Sequence, residues 1–208
     1  MNANDVVRQV QHLFGDSFEV QIKVEDIIDW INESLMTIAR ETEYKTSTQT
    51  TALYGPTTLG VDLPVDFIGE KRVTWDGTPL NKTELTALDD LGALPSDIGP
   101  AVSHFYFWED KTWLYPQPGT AKPMLLYYVA APTLVGDMNI PLALPLHFHK
   151  DIVRMCMVRA RELNEDWDQA RVLQNEIDAN LGKTRDDQQN RGRETFPVVR
   201  DDPADWMH

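Results

Sequence analysis

The sequence predicts an α+β protein: a helical bundle with a long C-terminal helix, an inserted antiparallel β module, and an extended C-terminal tail. Three observations carry this. Apolar residues recur at helical spacing over the first 44 residues and again from Pro145 to about Leu181. Between 45 and 141 that period is lost, and glycines and prolines punctuate short runs rich in Thr, Val, Tyr, Phe and Trp, which is strand chemistry. Residues 183–194 are nearly devoid of apolar side chains and bury too little to stay folded alone, whereas 196–208 carry apolar anchors. The expected division is therefore 1–44, 45–141, 142–182 and 183–208.

The first helix is expected to start at Asn4 as N-cap, with Val6, Val7, Val10, Leu13 and Phe14 at helical spacing and Gly15 as its stop. The second is expected over 24–43. Glu25 and Asp26 suit its positive end, and Ile27, Ile31, Leu35, Ile38 and Ala39 form one stripe. Ile28, Trp30 and Met36 add a second apolar side, which predicts more than one packing neighbour. Strands are expected at 45–53, 61–63, 67–75 (closed by a turn at Asp76-Gly77), 104–108, 112–115 and 124–130, with Glu109-Asp110-Lys111 joining a hairpin. Short connections favour antiparallel pairing, because parallel crossovers need a dozen or more residues. A short helix is expected at 82–91 with Thr83 as its cap.

From Pro145 one helix is expected to run to Leu181. Phe148, Ile152, Met155, Cys156, Leu163, Trp167, Ala170, Ile177 and Leu181 mark its face, and Gly182 ends it. Its length would be about 50 Å at 1.5 Å per residue, which calls for other helices or other subunits along it. Val153, Met157 and Val172 lie off the main stripe and point to subunit contacts.

The chain has 208 residues, is 42% hydrophobic and 25% charged, and carries a formal net charge of −14 from 33 acidic and 19 basic residues. Phosphate neutralisation needs the opposite balance, so nucleic-acid binding through the backbone is disfavoured. An acidic surface serves solubility, or forms a wall past which DNA slides without sticking. Cys156 is the only cysteine, which leaves no disulfide framework and no Cys-based zinc cluster. No apolar run approaches a bilayer span, no secretory signal is expected at the N-terminus, and synthesis in a reducing cytoplasm is expected.

Catalytic motifs weigh less than their context. Gly15-Asp16-Ser17 together with Asp205-Trp206-Met207-His208 looks like the first and last blocks of GDS-type esterases, with Ser17 as nucleophile and His208 as base. That family places its serine after a buried parallel strand, whereas 6–14 reads as an amphipathic helix. Gly136-Asp137-Met138-Asn139 has the wrong spacing for the missing oxyanion-hole blocks. His147 and His149 open a helix, where residues two apart diverge, so they are not expected to share a metal. The pairs Asp89-Asp90, Asp186-Asp187 and Asp201-Asp202 read as solvated. Trp108, Trp113, Tyr115, Tyr127 and Tyr128 stand in a chain of acidic balance and read as β core rather than a base-stacking platform. No catalytic, cofactor or metal residue is assigned.

The run Asp26-Ile27-Ile28-Asp29-Trp30-Ile31-Asn32-Glu33, continuing to Ile38-Ala39-Arg40, resembles the early helix of phage head-to-tail adaptor (connector) proteins. Leu63-Pro64-Val65-Asp66-Phe67, Trp113-Leu114-Tyr115-Pro116 with Pro118, Leu126-Tyr127-Tyr128, and Leu144-Pro145-Leu146-His147-Phe148-His149 follow in matching order, so the resemblance covers 24–181. It implies a structural virion protein of the head-tail neck of a short-tailed double-stranded DNA phage, made in the bacterial host cytoplasm. It also implies a homo-oligomeric ring, usually of twelve, under the portal protein, with tail nozzle or tube proteins below. DNA would pass through the centre without sequence-specific binding, and no membrane, cofactor or catalysis is involved. A tail-tube or head-closure protein is the structural alternative. In such adaptors the C-terminal tail commonly reaches the portal, and here Phe196, Val198, Val199, Trp206 and Met207 are the expected docking anchors.

Overall fold

Helices open and close the described part of the chain, and short strands fill the middle. The computed structural model describes residues 1–15, 21–90, 97–99 and 101–191. In order, the elements are α1 (Ala3–Phe14), α2 (Val24–Thr42), β1 (Thr46–Tyr54), β2 (Val61–Asp62), β3 (Phe67–Trp75), β4 (Thr78–Pro79) and β5 (Asn81–Lys82). Then follow α3 (Leu85–Asp90), β6 (Ile98–Gly99), β7 (His104–Trp108), β8 (Lys111–Tyr115), β9 (Gln117–Pro118), β10 (Lys122–Ala130), a 3-10 turn (Leu146–Phe148), α4 (His149–Leu163) and α5 (Trp167–Arg191). The expected α+β class holds.

Asn2, not Asn4, caps α1. Its Oδ1 accepts from the Asp5 backbone N–H at 2.9 Å, and the Asp5 carboxylate accepts from the Asn2 N–H at 3.0 Å, a reciprocal capping box. Asn4 is used elsewhere: its side chain donates to Asn139 and its backbone N–H to the Met138 carbonyl. Together with the Leu142 N–H donating to the Met1 carbonyl at 3.1 Å, these bonds tie the chain start to the segment leading into the last helices. Gly15 stops α1 in the left-handed conformation, as expected.

The α2 stripe is fully buried at Ile27, Ile31, Leu35, Ile38 and Ala39. It shares one core with Val6, Val10, Phe148, Ile152, Cys156, Ile177 and Leu181. Each such aliphatic side chain contributes roughly 1.5–3 kcal/mol by leaving water.

The expected single helix over 145–181 is two helices. Asn164 ends α4, Glu165 adopts φ 59°, and the Asp166 carboxylate accepts from the Gln169 N–H at 3.4 Å to start α5. The pairs Asp151–Asn180 and Arg154–Glu176 run in opposite directions along the chain, so α4 and α5 form an antiparallel hairpin. Leu163 and Trp167, assigned to the buried face, are exposed at this corner. Gly182 does not end the helix either. Residues 183–191, expected as a solvated linker, continue α5, with Arg185 paired to Glu41 on α2 at 3.7 Å.

The β module holds a sheet in the order β1-β10-β3-β4, a second in the order β2-β8-β7-β5, and the pair β6-β9. The long neighbours are antiparallel, with Gln49 opposite Leu126 and Leu126 opposite Val73. The module is antiparallel as expected, and only the short pairs β5·β7 and β6·β9 among the described strands are parallel. Each is only two residues long, so returning chain segments reach it without a full crossover. Thr83 donates its N–H to the Phe105 carbonyl beside β7 and does not cap α3, which begins at Leu85. The hairpin turn falls on Glu109 and Asp110, both left-handed, and Lys111 belongs to β8. Tyr54, Val73, Phe105, Leu114, Met124, Leu126 and Tyr128 form the module's own core. Gly60 closes one side: a Cβ there would sit 2.8 Å from the Trp113 ring.

Candidate assembly surfaces

Ser17 and His208 lie outside the described residues, and so do the docking anchors Phe196, Val198, Val199, Trp206 and Met207. Asp137 and Asn139 hold a loop: the Asp137 carboxylate accepts from the Asn139 N–H at 2.9 Å. His147 lies against Phe148, with ring centroids 4.0 Å apart. Burial holds the His149 imidazole below the usual histidine range, and its Nε2 lies 3.2 Å from the Leu144 carbonyl. Among the described residues no group of three or more His, Cys, Asp or Glu is placed to hold a metal. Cys156 is fully buried, and burial pushes its thiol up to about 12, so it stays protonated.

The aromatic residues divide. Tyr128 is core, its hydroxyl donating to Asp66 at 2.9 Å, and Trp113 stacks on Tyr106 at 6.3 Å. Trp108 and Tyr127, expected in the core, are exposed at 49% and 37%. Trp108 ends β7 at the hairpin turn, and strand alternation turns Tyr127 away from the face that Leu126 and Tyr128 bury. Tyr127 lies under the Arg72 guanidinium, 5.9 Å from the ring centre. Asp186 and Asp187 are solvated as expected, but on a helix rather than in a tail.

A groove of about 510 Å3 lies between α1, α4 and α5. Val153, Met157 and Val172, singled out as lying off the main stripe, all line it, joined by Leu13 and Leu173. Val153 and Met157 form a buried floor, while Leu13 and Val172 are exposed at 57% and 59%. Arginines flank it but are already engaged. Arg154 pairs with Glu176 at 3.3 Å, and Arg161 lies 3.6 Å from Asp166 and over the Phe14 ring at 5.6 Å. Exposed apolar area gathered in one concavity is what a partner covers. Sequence periodicity missed Leu13 as a groove residue because it counted it in the stripe of the first helix, and it did not single out Leu173. The α4–α5 turn that brings them together was hidden by the unbroken period.

A polar cluster fixes the α4–α5 pairing. Asp151 is 1% exposed, accepts from Asn180 Nδ2 at 2.7 Å, and has Arg154 at 3.7 Å. Burial raises its pKa, against the lowering effect of these partners.

None of the described helices is long and apolar enough to cross a membrane. Comparison with curated proteins finds no match. The family model of the SU10 adaptor protein, by contrast, matches residues 1–201, taking in the helices, the β module and most of the tail. That family is one of phage structural adaptors and not a class of enzymes. Matched over residues 1–201, nearly its whole length, the chain belongs to the SU10 adaptor protein family of phage head-to-tail adaptors.

Proposed function

We propose that this adaptor assembles as a ring of twelve subunits beneath the portal, extends the DNA channel, and offers tail nozzle or tube proteins their platform. The observation that carries this reading is the family match over residues 1–201. A net charge of −14 supports a channel that DNA crosses without sequence-specific contacts, because an acidic wall repels the phosphates. Residues Phe196, Val198, Val199, Trp206 and Met207 dock on the portal, since buried aromatics at the centre of an interface dominate binding. Ring contacts are head-to-tail and close only with the right rotation. The groove residues Val153, Met157 and Val172 supply one side of them. The protein then resides in the neck of the virion, after synthesis in the host cytoplasm.

Negative-stain imaging and native mass measurement of the purified chain, with and without portal, test this. A monomer or small oligomer is expected alone, and a closed ring on the portal. A mixture yielding no stable complex overturns the reading.

A further inference from the structure

The groove between α1, α4 and α5 and the C-terminal end of the chain share one chemistry. The groove has an apolar floor with exposed apolar lips, and the chain end places Trp206 beside Met207 after a polar approach. We propose that in the free subunit the chain folds back so that Trp206 and Met207 occupy this groove. They would cover the surface used for ring contacts until the portal draws the tail away.

Chain length selects these residues. The groove lies beside Asp168 to Leu173, at the start of α5, so Arg191 at its end is about 27–35 Å distant at 1.5 Å per residue. An extended chain covers roughly 3.3–3.6 Å per residue, so Phe196 reaches only about 17 Å beyond Arg191, and Val198 and Val199 fall at or short of the lip. Trp206 and Met207 have about 50 Å of reach and arrive with slack. Tethering makes the contact intramolecular, at an effective concentration in the millimolar range, so a weak apolar contact suffices. The occupant also removes a liability: Leu13 and Val172 would otherwise stay in water. The release step rests on the portal-docking reading, whereas the groove contact does not.

The test is oxidative cross-linking in the full chain. Cysteines are introduced as Val172→Cys with Met207→Cys, and the control is Gln174→Cys with Met207→Cys. Gln174 lies at the same height on α5 but lines the side toward α2, so both pairs have the same tether. Native Cys156 does not compete, being fully buried and protonated. The groove pair is expected to form a disulfide within one chain about tenfold faster than the control, and equally well at every protein dilution. Equal rates for the two pairs overturn the proposal. So does a product found only between two chains, which assigns the groove to a second copy's tail. Adding portal to the reduced groove pair separates the two readings: a fast intrachain disulfide with no portal binding sinks the adaptor docking and leaves the groove contact standing.

Discussion

The helical bundle and the β module are built on opposite plans. The bundle core is largely aliphatic, with Ile, Val, Leu and Met from four helices, and it leaves an uncovered groove on one flank. The β module core is rich in aromatics, with Tyr54, Phe105, Tyr128 and Trp75 between two sheets, and its exposed apolar residues, such as Leu53, Leu59 and Val65, are scattered. Helices bury a stripe and can present a second one, so a bundle can hold its fold and still carry a sticky face. A strand has only two faces, and β10, flanked by β1 and β3, spends one of them on the core. The difference places the apolar groove on the helices, while the β module is an insert with its own core. Specific bonds join the two. The Val135 N–H donates to Asn32 at 2.7 Å, the Asn4 side chain donates to Asn139 at 2.9 Å, and the Asn4 backbone N–H donates to the Met138 carbonyl at 3.2 Å.

The largest effect tests whether those joints make one cooperative unit. Phe148→Ala is expected to cost about 3–5 kcal/mol and Leu126→Ala about 2–5 kcal/mol, both side chains being fully buried. Urea unfolding followed by far-UV circular dichroism and by tryptophan fluorescence should show a single transition, displaced in both variants and at both probes. If Leu126→Ala moves the fluorescence transition alone, the regions fold separately and the joints are incidental.

A smaller effect sharpens the account of the β core. Tyr54 is fully buried, and its hydroxyl oxygen accepts from the Leu114 backbone N–H at 3.2 Å. Tyr54→Phe keeps the ring and strands that donor, at a cost of about 1–3 kcal/mol in thermal or urea unfolding. No loss would mean that the ring alone carries the site.

The smallest effect belongs to the bundle and depends on pH. Burial raises the Asp151 carboxyl, so the folded state holds this proton more tightly than the unfolded chain does. Its contribution to stability is therefore greatest below the ordinary carboxyl range and declines as pH rises through the raised folded value. Asp151→Asn removes that decline while keeping an acceptor for Asn180. The difference in urea midpoint between the two proteins, measured from acid to neutral pH, should move in favour of the variant as pH rises. A difference that is flat, or that moves the other way, would mean Asn180 and Arg154 outweigh burial.

Much of the fold was legible because it rests on local periods. The α2 stripe, β3 at 67–75, β7 at 104–108 and the Asp76-Gly77 turn were expected where they lie; Gly77 takes φ 77° at no steric cost. The Glu109-Asp110 turn was placed one residue too long because neither residue advertises a left-handed backbone. Of the candidate surface, Val153, Met157 and Val172 were legible as apolar residues off the stripe, but their meeting place was not.

Composition and period determined by themselves the α+β class and the order of helices around a strand-rich insert. Those properties follow from which side chains must leave water and how often they recur. Tertiary structure alone decided that the last helix folds back at Asn164–Asp166 and that α5 runs past Gly182. It also decided that Leu13 meets Val172 across a groove. A helical period reads the same through a turn that happens to keep its phase. Whether a glycine ends a helix depends on what packs beside it, and here α2 lies alongside, with Glu41 paired to Arg185.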